Sequence, residues 1–149
     1  MIDGLEIWPS RQVMDERGKI VCMLRRDDIS FEDFGEIYFS YTYPGVIKAW
    51  HLHKRMFLNY MLLRGDLKLV LHDQRANSPS RGQTEELFLS AEEKKVIKIP
   101  PGVWNGFKCI GSELAILANC ASSPHCESEI VRLSPEDPSI PYEWGIRFK

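Results

Sequence analysis

The reading turns on Gly45-Val46-Ile47-Lys48-Ala49-Trp50-His51-Leu52-His53. It follows a Pro44-Gly45 turn signal and is rich in β-branched and aromatic residues, which predicts a strand. A strand sends alternate side chains to opposite faces. His51 and His53 are therefore expected on one face with Ile47 and Ala49, and Trp50 and Leu52 on the other. A polar outer face, or a histidine satisfied within the core, is the bland account of such residues. The paired H-x-H pattern favours a functional pocket.

Outward from this stretch, Gly and Pro punctuate short runs of strand-forming residues. The expected strands are Leu5 to Trp8, Lys19 to Leu24, Glu36 to Thr42, Val46 to His53, Leu58 to Leu63, Asp66 to His72, Glu86 to Leu89, Lys95 to Ile99, Gly106 to Ile110 and Leu114 to Cys120. Many short strands between turn signals predict an all-β sandwich or barrel. Gly65 marks a hairpin. Helix signal is confined to single turns at Ser30 to Phe34 and at Ser90 to Glu93, where Ser90 and Glu93 have capping-box spacing. The polar, proline-rich segment after Cys126 reads as an ordered tail or a short extra strand.

The 149 residues are 44% hydrophobic and 27% charged, the balance of a globular domain. With 19 basic and 21 acidic side chains the net charge is −2, which argues against nucleic acid as partner. No apolar run is long enough to span a membrane, and the acidic N-terminus lacks the features of a secretion signal, so a cytoplasmic location is expected. Cys22, Cys109, Cys120 and Cys126 form no C-x-x-C pair and read as ordinary thiols.

The histidine strand resembles the first motif of the cupins: a glycine, five residues, H-x-H, three or four residues, a glutamate, six residues and a glycine. Gly45, His51, His53 and Gly65 fit that frame, with Leu58 at the glutamate position. The second cupin motif is matched by Pro100-Pro101-Gly102-Val103-Trp104, with Asn105 where the family has histidine. A catalytic metal usually takes three protein ligands, and His51 and His53 supply two. No metal or other cofactor is expected, which frees His51 to act as a proton-transfer base.

Within the cupins the chain is similar to the dTDP-4-dehydrorhamnose 3,5-epimerases. Asp15-Glu16-Arg17-Gly18, Gly45 to His51, Asp73-Gln74-Arg75 with Ser78-Pro79, Leu89 to Lys94, Ile99 to Phe107 and Asp137 to Trp144 carry the resemblance in family order. It implies one cupin domain over 1–149, a double-stranded β-helix or jelly-roll sandwich with little helix, its core at about 13–121 and an ordered tail at 122–149. It also implies a homodimer serving deoxysugar and polysaccharide synthesis. The implied chemistry is epimerisation of a nucleotide-linked 4-keto-6-deoxyhexose: a histidine takes the proton beside the keto group, and a tyrosine returns one to the opposite face of the enolate. His51 matches the base, Lys48 stands at a family arginine, and Arg17 matches an arginine that contacts the nucleotide phosphates, often across the dimer.

The departures from the family are specific. The family tyrosine falls at Ala118, the barrel histidine at Asn105 and a lysine at Leu58, and the aspartate that partners the family histidine has no counterpart. Tyr60, of the same parity as Leu58, and Tyr38 are the replacement acids; His53 and Asn105 are candidate holders of a keto or hydroxyl oxygen. Lys48 to Lys54 also resembles the dTDP-sugar 3,4-ketoisomerases, whose histidines move a carbonyl through an enediol. A non-catalytic nucleotide-sugar-binding protein on the same scaffold is the alternative of another class. Trp50 and Leu52, on the face away from the histidines, are expected to need covering by a partner.

Overall fold

The computed structural model describes residues 1–146. Among these, twelve strands and no helix are present. β1 (Glu6–Pro9), β9 (Lys95–Ile99), β6 (Leu58–Arg64), β11 (Ala115–Ala121) and β4 (Glu36–Thr42) form one antiparallel sheet in that order. β12 (Ile130–Arg132), β5 (Ile47–His53), β10 (Val103–Cys109), β7 (Asp66–Asp73) and β8 (Thr84–Ser90) form the second. β2 (Arg11–Asp15) and β3 (Gly18–Cys22) make a separate hairpin. This is the all-β sandwich that the strand pattern predicts.

The period-2 alternation of the strands builds the core. Leu58, Tyr60 and Leu62 of β6 and Ile97 and Ile99 of β9 face Leu67, Leu69 and Leu71 of β7 and Phe107 of β10, all buried. At the roughly 25 cal/mol per Å² that buried apolar surface contributes, this layer is the main stabilising element. The second sheet is buried on its outer side as well. There Trp50, Val70 and Trp104 pack against Ile140, Tyr142 and Trp144 of the C-terminal segment. Lys68 lies 5.3 Å from the Tyr142 ring centroid and 5.6 Å from that of Trp144, in cation–π range. The face carrying Trp50 and Leu52 is thus covered by the chain's own tail, not by a partner.

Both expected helical turns are plain turns. Near Ser30 only a single bond, Phe31 N–H to Asp28 O at 3.0 Å, closes the chain. At Ser90, Glu93 N–H donates to the carbonyl and Glu92 N–H to the hydroxyl, and the chain then enters β9. Neither segment is long enough to offset the cost of helix nucleation.

Two motifs that carried the resemblance are structural. Asp73, fully buried, accepts hydrogen bonds from the Arg75 backbone and guanidinium and from the Ser78 and Ser80 hydroxyls. Burial opposes its ionisation, and those donors outweigh burial, holding its carboxyl well below the usual range. Lys94 donates to the carbonyls of Leu62 and Leu63, tying the β8–β9 turn to the end of β6.

One register irregularity positions the site. Along β10, Asn105 faces His51 but Phe107 faces Lys48, so Gly106 stands opposite both Ala49 and Trp50. This is a β-bulge, which shifts side-chain parity on the strand that carries it. The expected alternation is corrected accordingly. Ile47, Ala49 and Leu52 pack on the tail side, whereas Lys48, His51 and His53 together line the cavity between the sheets.

Candidate active site

A cavity of about 440 Å³ opens between the two sheets, within the range of small-ligand sites. One wall comes from the second sheet: Lys48, His51 and His53 of β5, with Arg132 of β12. The opposite wall comes from the first sheet: Glu36, Tyr38 and Ser40 of β4, Tyr60 of β6 and Asn119 of β11.

His51 is the cross-strand partner of both Asn105 and Arg132. Among the described residues, neither of its ring nitrogens has a hydrogen-bond partner. Burial, then the charges of Arg132, His53 and Lys48, push its pKa down from 6.5 to about 4, so the ring is neutral at neutral pH.

His53 is only 7% exposed and its Nδ1 lies 2.7 Å from Glu129 Oε2. The other carboxylate oxygen accepts the backbone N–H groups of Arg55 at 2.7 Å and Met56 at 2.9 Å. Burial works against ionisation of Glu129, but the hydrogen bonds from Arg55, His53 and Met56 prevail and lower its pKa. A carboxylate only accepts, so His53 Nδ1 carries the proton and donates it. Nε2 is left with its lone pair for the cavity.

The tyrosines differ in how their hydroxyls are used. Asn119 Oδ1 accepts the Asn59 backbone N–H, which orients the amide so that Nδ2 donates to the Tyr38 hydroxyl at 3.0 Å. The Tyr38 oxygen accepts there and its own proton stays uncommitted among the described residues. Burial raises the Tyr38 pKa against the lowering effect of Asn119, and the charge of Glu36 adds to the rise. Tyr60 instead donates to Asn105 Oδ1 at 3.2 Å, and Asn105 Nδ2 donates to the His51 carbonyl at 3.1 Å. Tyr60 is buried, which raises its pKa far above 10.0.

Lys48 reaches across the cavity rim to Ser40 Oγ at 2.8 Å and Tyr41 O at 2.7 Å, and burial lowers its pKa. Of the seven residues singled out by sequence, His51, His53, Lys48, Tyr38 and Tyr60 line the cavity. Asn105 lies just behind it, 1% exposed. Arg17 stands apart at the β2–β3 turn, paired with Asp15, its side chain 86% exposed. No three metal-donor side chains converge among the described residues; Leu58 is in the core and both ends of the Asn105 amide are engaged.

Sequence reasoning missed Glu129, Arg132 and Asn119. Arg132 sits on a strand of only three residues, and Glu129 on the turn before it, so neither has a periodic signal. Asn119 sits next to Ala118, the position matched to the family tyrosine, and pairs across strands with Tyr38.

Comparison with known proteins gives the family. The family model described as dTDP-4-dehydrorhamnose 3,5-epimerase matches residues 1–149. A probable low-salt glycan biosynthesis epimerase of Haloferax volcanii is 33% identical, the match covering 95% of this chain and 89% of that protein. A spore coat polysaccharide biosynthesis protein of Bacillus subtilis is 29% identical over the full length of both. Among solved structures, a dTDP sugar isomerase of Desulfovibrio desulfuricans G20 is 36% identical with a TM-score of 0.91, covering 96% of this chain and 92% of that one. The chain belongs to the dTDP-4-dehydrorhamnose 3,5-epimerase family.

Proposed function

We propose that the protein epimerises a nucleotide-linked 4-keto-6-deoxyhexose by proton transfer next to the keto group. The observation that carries this reading is the placing of imidazoles and a free phenol on opposite walls. Inversion at carbon requires a proton to leave one face of a planar enolate and another to arrive on the opposite face. The second sheet presents His51 and His53, and the first presents Tyr38 with its proton uncommitted. The C–H proton passes to an imidazole of the second sheet, the C–H electron pair becomes the enolate C=C as the C=O pair moves onto oxygen, and the resulting oxyanion meets the cationic Lys48 and Arg132. Tyr38 protonates the other face and recovers its proton from solvent. Tyr60 and Asn105 hold the His51 backbone in place.

A Legionella pneumophila relative, 25% identical with a TM-score of 0.85, was solved with dTDP-4-keto-L-rhamnose, which supports a dTDP-linked sugar here. The names of the archaeal and Bacillus relatives support a role in supplying sugars for surface polysaccharide. The working form is a homodimer. Ile37, Phe39 and Tyr41 leave the outer face of the edge strand β4 apolar, about half exposed, and Val13, Met14 and Ile20 are exposed on the hairpin that carries Arg17. Arg17 contacts the nucleotide phosphates across that dimer. Four unpaired cysteines fit the reducing cytoplasm.

The test is deuterium exchange. In D₂O the protein should incorporate deuterium into a dTDP-4-keto-6-deoxyhexose at carbon next to the keto group and yield its epimer. Binding without exchange leaves only the carrier role, and a 3-keto product assigns a ketoisomerase instead.

A further inference from the structure

We infer that the base which removes the substrate proton is His53 held by Glu129, and that His51 serves instead as a neutral hydrogen-bond donor to the developing enolate oxygen. This rests on the proton-transfer reading above and assigns the roles within it.

A general base must present a lone pair to the substrate and must be stabilised once it becomes cationic. His53 meets both requirements. Its Nδ1 is bound to Glu129 at 2.7 Å, so its tautomer is set and Nε2 faces the cavity as an acceptor. The imidazolium formed on proton transfer would lie against a buried carboxylate. Glu129 is itself rigidly held, since its second oxygen accepts two backbone N–H groups from the turn after β5. A carboxylate that accepts from an imidazole in this way fixes its ring and its tautomer.

His51 has a lone pair but fails the second requirement, because nothing among the described residues stabilises its cation. Neither ring nitrogen is partnered among the described residues, so nothing selects its tautomer. Its surroundings disfavour a positive charge: it pairs across strands with Arg132, and Lys48 projects from the same strand into the same cavity. The other titratable groups facing the cavity are Glu36 and Tyr38 on β4, Tyr60 on β6, and His125, whose Nε2 lies 2.9 Å from Glu127. None of these places a carboxylate on His51. Arg132 is ion-paired with Glu127 at 2.8 Å, so that carboxylate serves Arg132 and not His51. A neutral imidazole with cationic neighbours and no carboxylate of its own is suited to donate a hydrogen bond to an oxyanion rather than to accept a proton.

In the step itself, the C–H electron pair passes into the carbonyl and the proton to His53 Nε2, while His51 N–H, Lys48 and Arg132 hold the enolate oxygen. Tyr38 delivers its proton to the opposite face. His53 then releases its proton to solvent and Tyr38 takes one up, restoring both groups.

The experiment is solvent-deuterium exchange into a dTDP-4-keto-6-deoxyhexose over a range of pH, with substrate binding and thermal unfolding as controls. H53N should lose exchange by about 10²–10⁴-fold. H51N should be slower by about 10²–10³-fold, as for removal of an oxyanion donor, and keep the acid limb of its pH profile where the native protein has it. E129Q should move that limb to lower pH, because the imidazolium loses its counter-charge. E129D keeps the charge and should restore the limb, which separates a charge effect from loss of folding. Exchange that survives in H53N, or an acid limb that disappears in H51N and stays put in E129Q, overturns this assignment and leaves the epimerase reading intact. No exchange by the native protein overturns both.

Discussion

A Cβ added to Gly106 would stand 2.4 Å from the Cβ of Ala49, so β10 and β5 meet here with no room for a side chain. This contact permits the bulge that turns Lys48 and His51 into the same cavity. Gly106→Ala should therefore damage stability and site together. The expected loss is about 1–3 kcal/mol in urea unfolding, as for overpacking of a tight interior. Exchange activity per folded molecule should fall as well. Unchanged activity would mean that the bulge tolerates the methyl group without moving the imidazoles.

Tyr38→Phe and Tyr60→Phe should separate the two phenols. Loss of the Tyr38 hydroxyl removes the proton destined for the opposite face. Epimer formation should drop by about 10²–10⁴-fold, while deuterium exchange at the original face persists. Tyr60→Phe removes the hydrogen bond to Asn105 and should cost roughly 1 kcal/mol of stability with a smaller effect on rate. The reverse outcome in product analysis would make Tyr60 the acid.

His51 makes stability depend on pH. Its folded pKa, about 4, lies below the ordinary 6.5, so the unfolded chain binds more protons between those values. Stability is therefore lower at the acid end of that window and rises towards pH 6.5. His72, also lowered by burial, acts in the same direction. His51→Asn should flatten the slope of unfolding free energy between about pH 4 and 6.5, by on the order of 2 kcal/mol across the window. An unchanged slope would show that His51 is protonated as readily in the folded protein as in the unfolded chain.

The Asp73 hub is remote in role from the chemistry. It gathers Arg75, Ser78 and Ser80, and through Ser80 Oγ and Arg75 it holds Asp3 of the N-terminal segment. Asp73→Ala removes the shared acceptor of a partly exposed guanidinium and two hydroxyls, and should cost about 3 kcal/mol in chemical unfolding. Exchange per folded molecule should be close to native. A large drop in rate at full folding would instead tie the hub to the site.

The strands were legible because alternation of apolar and polar residues is written locally, as in Leu67, Leu69 and Leu71 of β7. One strand escaped: β2 is exposed at every residue, with no buried face to read. β12 is the short extra strand offered as an alternative after Cys126, its bounds unreadable because three residues are too few for a period to show. The face of Ile47 and Ala49 was misread for a different reason. A bulge depends on what the partner strand allows, and Gly106 lies far along the chain from Ala49.

From sequence alone came the all-β architecture, the family, and the presence of two imidazoles, Lys48 and two phenols around one pocket, since strand parity and ordered motifs are local properties. Tertiary structure alone decided which phenol keeps its proton and which imidazole has a carboxylate. Both depend on hydrogen bonds between distant segments: Asn119 lies 81 residues from Tyr38, and Glu129 lies 76 residues from His53. No periodicity on either strand encodes such a meeting; it arises only when β4 pairs with β11 in one sheet and β12 with β5 in the other.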